Sequence, residues 1–328
     1  MQRSWLSSKW LWLLPVALAV GAASMYFVQR PFSAPATVNA NADGANRTAP
    51  NSAQATAADG QILAHPAAAP RAHDTPQNAA QYSAHALLAQ RDLRAAAEGA
   101  LCHPELGGVF HAQALRRLCF DIVVSMPNVE AMPPNAPHDL ARRHQTALDD
   151  LRQRCAGFSS EELNGKVIHE LAFDPRAKGD PLMQLQASWT GRTSLGPTEL
   201  DTLRAQILSP RDPLLLWELG PELSLDSAGG TQRYHLDGQA YTDAQAEVFN
   251  LAWRSAVCGV GAGCGAADVN LTALCAENGL CGETLQQAIL DGVHRAYGAA
   301  DVALFQRLVV RIEQVIATAD ANALRVPG

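Results

Sequence analysis

AVCGVGAGCGAADVNLTALCAENGLCG, from Ala256 to Gly282, holds four of the seven cysteines, Cys258, Cys264, Cys275 and Cys281. They fall as C-x5-C, ten residues, then C-x5-C. Upstream, Val248, Phe249, Ala252, Trp253, Ala256 and Val257 recur at helical spacing and lead directly into Cys258. Beyond a Gly-rich loop, Asp268 is placed to cap a second short helix carrying Cys275. The stretch reads as a helical corner closed by disulfides or by a metal. Zinc knuckles use gaps of two to four residues, and both gaps here are five, so disulfides are expected. Four cysteines allow three pairings. With Cys258 and Cys275 each ending a helix, the crossed one is expected, Cys258 with Cys275 and Cys264 with Cys281. Cys119 and Cys155, on neighbouring helical segments, are candidates for a third bridge. Cys102 is then left over, or replaces one member of that pair.

Disulfides need an oxidising compartment, and the N-terminus supplies one. From Trp10 to Val28 there is no charged side chain over 19 residues, about the length that spans a bilayer core. Arg3 and Lys9 precede it and aromatic residues sit near its ends, which predicts a cytoplasmic N-terminus and an exported remainder. The expected organisation is a cytoplasmic segment 1–9, a transmembrane signal-anchor 10–28, a disordered linker 29–80 and an α-helical periplasmic domain 81–325. The expected location is the bacterial inner membrane, single-pass. The alternative is a secreted or periplasmic protein after cleavage at the small residues Gly21 to Ser24. The linker is rich in Ala, Asn, Thr, Ser and Pro and cannot bury enough apolar surface to offset its ordering entropy. A net charge of −7 argues against a general nucleic-acid binder.

From about Tyr82 the pattern is mainly α. Helices are expected from Ser83 to near Gly99, Val109 to Ser125 and His138 to Cys155. Ser159 and Glu162 suggest a capping box for a helix reaching Ala172. Asp180-Pro181 and Asp212-Pro213 each pair an N-cap with proline at the first helical position, 32 residues apart, with a helix from Thr198 to Leu208 between them. That spacing, and AKGDPLMQLQA, raise α-α pairs of the Sel1 or tetratricopeptide type as an alternative to an irregular α-helical domain. Asp237-Gly238 predicts one small β-hairpin. Thr242 and Gln245 suggest a capping box for the Trp253 helix. Two long helices are expected from Glu283 to Tyr297 and from Asp301 to Ala319, the second with a buried stripe of Leu304, Leu308, Ile312 and Val315.

Chemical motifs are incomplete. Asp268 opens an EF-hand-like run, but Ala273 stands at the turn glycine and Gly279 at the bidentate glutamate, so Asp268 is better placed as a helix N-cap. His169-Glu170 lacks the second histidine of a zincin, Phe173 standing there. Cys102, His103, Glu105 and His111 read as a loop with solvated histidines. Glu218, His169 and His235 are the groups an unrecognised hydrolase would use. No catalytic, cofactor or metal residue is assigned.

The run FNLAWRSAVCGVGAGCGAADVNLTALCAENGLCG, Phe249 to Gly282, resembles a group of uncharacterised proteobacterial exported proteins with a tryptophan-containing helix and a paired-cysteine stretch. The resemblance implies no activity. The expected function is a non-enzymatic periplasmic scaffold or protein-binding module anchored in the inner membrane. Its expected partners are envelope proteins and, through the N-terminal helix, the membrane; no cofactor and no nucleic acid are expected. The alternative is a cell-envelope hydrolase with its site in a helical cleft.

Overall fold

Asp180 and Asp212 both cap helices with proline in the first turn in the computed structural model, as their Asp-Pro pairs predict. The structure describes residues 83–125, 136–226, 232–259 and 264–327. The expected anchor 10–28 and linker 29–80 lie outside the described residues. Among the described residues no helix is long and apolar enough to cross a membrane. The protein is mainly α, with a small three-stranded antiparallel sheet.

The first expected helix is two. Ser83 caps α1 (Ala84–Leu88), but the Asp92 carboxylate accepts the backbone N–H of Ala95 and starts α2 (Leu93–Ala100) afresh. α3 (Gly108–Phe120) packs on α2, and Ala96, Ala97, Ala100 and Ala112 of the two helices are buried. The approach is close enough that a Cβ at Gly108 would collide with the Ala100 carbonyl oxygen. Past Phe120 the α ladder gives way to a π turn, Asp121–Ser125, where one continuous helix was expected.

α4 (His138–Cys155) has the expected bounds. Ser159 and Glu162 do bond reciprocally, but they close a turn. The next helix, α5 (Gly165–Glu170), begins later under an Asn164 cap and passes into a 3₁₀ turn, Leu171–Phe173. A second 3₁₀ turn, Pro175–Gly179, delivers the chain to Asp180 and α6 (Pro181–Thr190). α7 (Pro197–Leu208) and α8 (Pro213–Leu219) follow.

Asp180 is fully buried and serves two helices. Its Oδ1 accepts the N–H groups of Leu182 and Met183, both at 2.9 Å, at the start of α6. Its Oδ2 accepts those of Val109 and Phe110, at 2.7 and 3.1 Å, at the start of α3. Each helix N-terminus leaves orphan donors and a positive dipole end, and one carboxylate meets both sets. Asp212 also reaches α3: it caps α8 through Leu215 N–H and accepts His111 Nε2–H at 2.9 Å. The two Asp-Pro pairs thus dock two helices on a third.

Strands β1 (Leu225–Asp226), β2 (Arg233–Leu236) and β3 (Gln239–Tyr241) form the sheet in that order. β2 and β3 are the expected hairpin, with φ positive at Asp237 and Gly238, while β1 adds a strand beyond it. The hairpin rests on α9 (Ala244–Val257), where Tyr234 stacks on Phe249 with ring centroids 5.0 Å apart. The expected Thr242–Gln245 capping box does not form. Thr242 offers its carbonyl to Gln245 N–H, and its hydroxyl turns to Asp243. Trp253 is fully buried, and its indole N–H donates to Leu216 O at 3.0 Å over Gly220. α10 (Val269–Asn278) packs on α4, and α11 (Leu285–Ala296) and α12 (Ala299–Thr318) complete the body, with α12 lying along α9. Leu304, Leu308, Ile312 and Val315 are buried, as their spacing predicts.

The cysteines join as Cys119–Cys155, Cys258–Cys264 and Cys275–Cys281. The crossed pairing is corrected to a local one. Gly279, at φ +66°, ends α10 in the left-handed region and folds the chain back, so that Cys281 lies 4.4 Å from Cys275 between Cα atoms. Cys264 likewise returns to within 5.4 Å of Cys258. Neither bridge ties α9 to α10, as the crossed pairing would have done. In the chain-entropy picture the 36-residue separation of Cys119 and Cys155 is worth about 4 kcal/mol, and each six-residue separation about 2 kcal/mol.

Two outcomes follow from these contacts. Asp180→Ala should cost about 2–4 kcal/mol in urea unfolding, because two caps are lost and buried donors are stranded. Asp180→Asn, which keeps one acceptor oxygen, should cost less. Replacing Cys119 and Cys155 together by alanine should lower stability more than replacing Cys275 and Cys281. Equal losses would show that loop entropy is not what distinguishes the bridges.

Candidate functional site

Two places combine unusual chemistry with access to solvent. The first is the turn Leu171–Phe173. Leu171 is buried as its foot and Phe173 stands 74% exposed. The turn closes with Asp174 N–H donating to Leu171 O at 3.2 Å. Asp174 then caps the next turn and grips Arg176 through both carboxylate oxygens, at 2.8 and 2.9 Å. This pairing holds the Asp174 carboxyl down at about 2. The segment ends at the doubly used Asp180, so Phe173 sits on a firmly held loop. His169, exposed on α5, meets the Phe173 ring edge-on with centroids 5.4 Å apart. Lys166–Glu170 and Asp174–Arg176 ion pairs supply charged neighbours.

The second is a cluster of half-buried charges on four helices. Arg117 of α3 pairs with Glu218 of α8. Arg254 of α9 lies over the Trp217 ring, 5.0 Å from its centroid. Asp121 opens the π turn and Glu277 lies in the last turn of α10. Burial pushes the Asp121 carboxyl up to about 6, Arg117 opposing and Glu218 reinforcing the shift. Burial pushes Glu277 up to about 7, Arg254 opposing and Asp121 reinforcing it. Burial likewise draws Arg254 below its ordinary value, against Glu277 and Tyr234. Each of the three lies within one helical turn of a bridged cysteine: Asp121 follows Cys119, Glu277 follows Cys275 and Arg254 precedes Cys258. Glu218 stands among the apolar residues of LLLWELGPEL, Leu214 to Leu223, which marks it in the sequence. Asp121, Arg254 and Glu277 carried no signal in the sequence, since their partners are distant in the chain.

The other candidates separate. Neither exposed His169 nor buried His235 bonds to Glu218; His235 lies on β2 with Nε2 3.9 Å from Asp226 Oδ2, and burial lowers its pKa. The loop with solvated histidines is corrected at His111, which is 2% exposed inside α3 because its imidazole serves Asp212. His103 lies 3.4 Å from Glu105, and Cys102 is an exposed free thiol. Asp268 is an N-cap, accepting Asn270 N–H at 2.8 Å. Among the described residues no three of the His, Cys, Asp and Glu side chains stand together as metal ligands. No known protein family, curated relative or solved structure matches the chain.

A double-mutant cycle with Arg117→Met and Glu218→Gln should return a coupling of about 0.5–1 kcal/mol, since the arginine is 41% exposed and solvent screens the pair. A coupling near zero would mean that the two side chains do not hold each other in solution.

Proposed function

We propose that the chain is a non-enzymatic binding module of the cell envelope, tethered to the inner membrane by residues 10–28 and carried on the linker 29–80, and that it takes hold of partner proteins through Phe173. The observation that carries this reading is the exposed phenyl ring on a braced turn with charged neighbours. Aromatic anchors with a polar rim dominate the energetics of protein interfaces, and a turn whose backbone is already braced has less freedom to lose on binding. The α-α pairing raised by the two Asp-Pro helices belongs to the same proposal, as a scaffold for that turn.

The second reading, an envelope hydrolase, is favoured by the charge cluster around Glu218. Carboxyl groups pushed into the neutral range are what general acids require.

A photo-crosslinking residue at His169, in cells making the full chain, distinguishes the two. The binding module predicts a discrete adduct that Phe173→Asp abolishes. That substitution should change folding stability by no more than about 0.5 kcal/mol, because the ring is exposed. An adduct that persists in Phe173→Asp, or none at His169, overturns it. Glycan or peptide hydrolysis lost on Glu218→Gln would support the second reading instead.

A further inference from the structure

We propose that Arg116 of α3 is the base of a binding site for an oxyanion, a carboxylate or phosphate group that comes from outside the folded chain. The site is independent of the Phe173 reading.

Three arginines are buried among the described residues. Two of them are fully matched. Arg154, 7% exposed, donates to Asp150 and to the carbonyls of Gln90 and Ala267. Arg204, 4% exposed, donates to Asp201 and to Leu223 O. Arg116 is 9% exposed, at the end of a run on α3 in which every residue from Gly108 onward is buried. Among the described residues its guanidinium has no hydrogen-bond or ion-pair partner, and its Nε is closed to solvent without an acceptor. The two Nη groups are not closed off in that way, so the end of the fork stays open. Arginine keeps its proton in proteins, and a buried charge is costly unless it is paired.

The surroundings of α3 do not supply the missing acceptor. Long side chains on a helix lean back over the preceding turn, here the turn of Ala112 and Gln113. Gln113 donates to Ile168 O at 3.1 Å, so the fork lies toward the side of α3 that meets α5. The acid of α5, Glu170, pairs with Lys166. On α2 Glu98 pairs with Arg94, and α4 pairs its acids within itself. Asp180 is taken up by four backbone N–H groups.

The chemistry of the ligand follows from the fork. Nε–H and one Nη–H of a guanidinium point the same way and match two oxygens of a carboxylate or phosphate. Such a group would satisfy the stranded Nε–H and neutralise the charge in one step, which a neutral ligand or a cation would not. The small opening suits the tip of a ligand, an acidic side chain or a phosphate ester, rather than a flat surface.

Thermal unfolding of the full-length chain in sodium acetate and in sodium phosphate, each against sodium chloride at equal ionic strength and pH, tests the site. At about ten times its dissociation constant, a bound oxyanion should raise the wild-type midpoint about 3 °C further than that of Arg116→Met. A difference in acetate points to a carboxylate ligand, and one in phosphate alone to a phosphate ester. Equal shifts of wild type and variant in both salts overturn the proposal. In chloride, Arg116→Met removes an unpaired buried charge and should melt at or above the wild type. A variant melting more than about 5 °C lower would place the counter-charge within the chain itself, and would also overturn it. Should the variant not fold, the nitrogen-15 resonance of Arg116 Nε–H in the wild type decides. A saturable shift in acetate or phosphate but not in chloride supports the site, and no shift overturns it.

Discussion

The carboxylate of Asp180 is the contact on which the N-terminal half depends. Four backbone N–H groups from two helices converge on its two oxygens in a position closed to water. Without it, the start of α3 and the start of α6 would each leave buried donors unmatched, at a cost comparable with much of a domain's net stability. Because α3 is fixed at that end, its other residues have set places: His111 under Asp212, Gln113 against the Ile168 carbonyl and Arg117 opposite Glu218. The approach to Asp180 is also the loop that lifts Phe173 into solvent. One buried charge therefore sets both the helix packing and the position of the exposed ring.

The C-terminal half is organised differently. Its anchor is apolar: Trp253, Phe249 and Tyr234 stack from α9 to the sheet, and the indole N–H is satisfied by Leu216 O. Disulfides there secure single turns rather than joining helices. The connection between the cysteine corner and the helices comes from hydrogen bonds, Leu285 N–H to Cys264 O and Gln286 to Ser255 O. The charge cluster lies where the two halves meet, with Arg117 and Asp121 from one and Arg254 and Glu277 from the other.

Much of this architecture was legible in the chain. Asp-Pro pairs, Asp268, Ser83, the Asp237-Gly238 turn and the stripe of α12 act through residues within a few positions, so local physics places them. What escaped depends on contacts distant in sequence or on competition between local signals. Asp92 restarts a helix that periodicity alone would continue. Ser159 and Glu162 make their box without a helix behind it. His111 is polar, yet buried, because a partner 101 positions away meets it. The crossed disulfide pairing failed for a local reason, the left-handed Gly279, which turns Cys281 back on Cys275. Asp121 and Glu277 were invisible because nothing near either in sequence distinguishes it from a solvated acid.

The order of the bridges bears on how the chain matures. From the first bonded cysteine onward the pairing is strictly consecutive: 119 with 155, 258 with 264, 275 with 281. Oxidation that runs along the chain and joins each thiol to the next would give these three bonds. Cys102 breaks that scheme, because it precedes them all in the chain and remains a free thiol in the finished fold. Purely sequential oxidation would join it to Cys119 and shift every later pair by one. Correct maturation then requires either that α2 and α3 fold before oxidation or that an isomerase repairs the first bond.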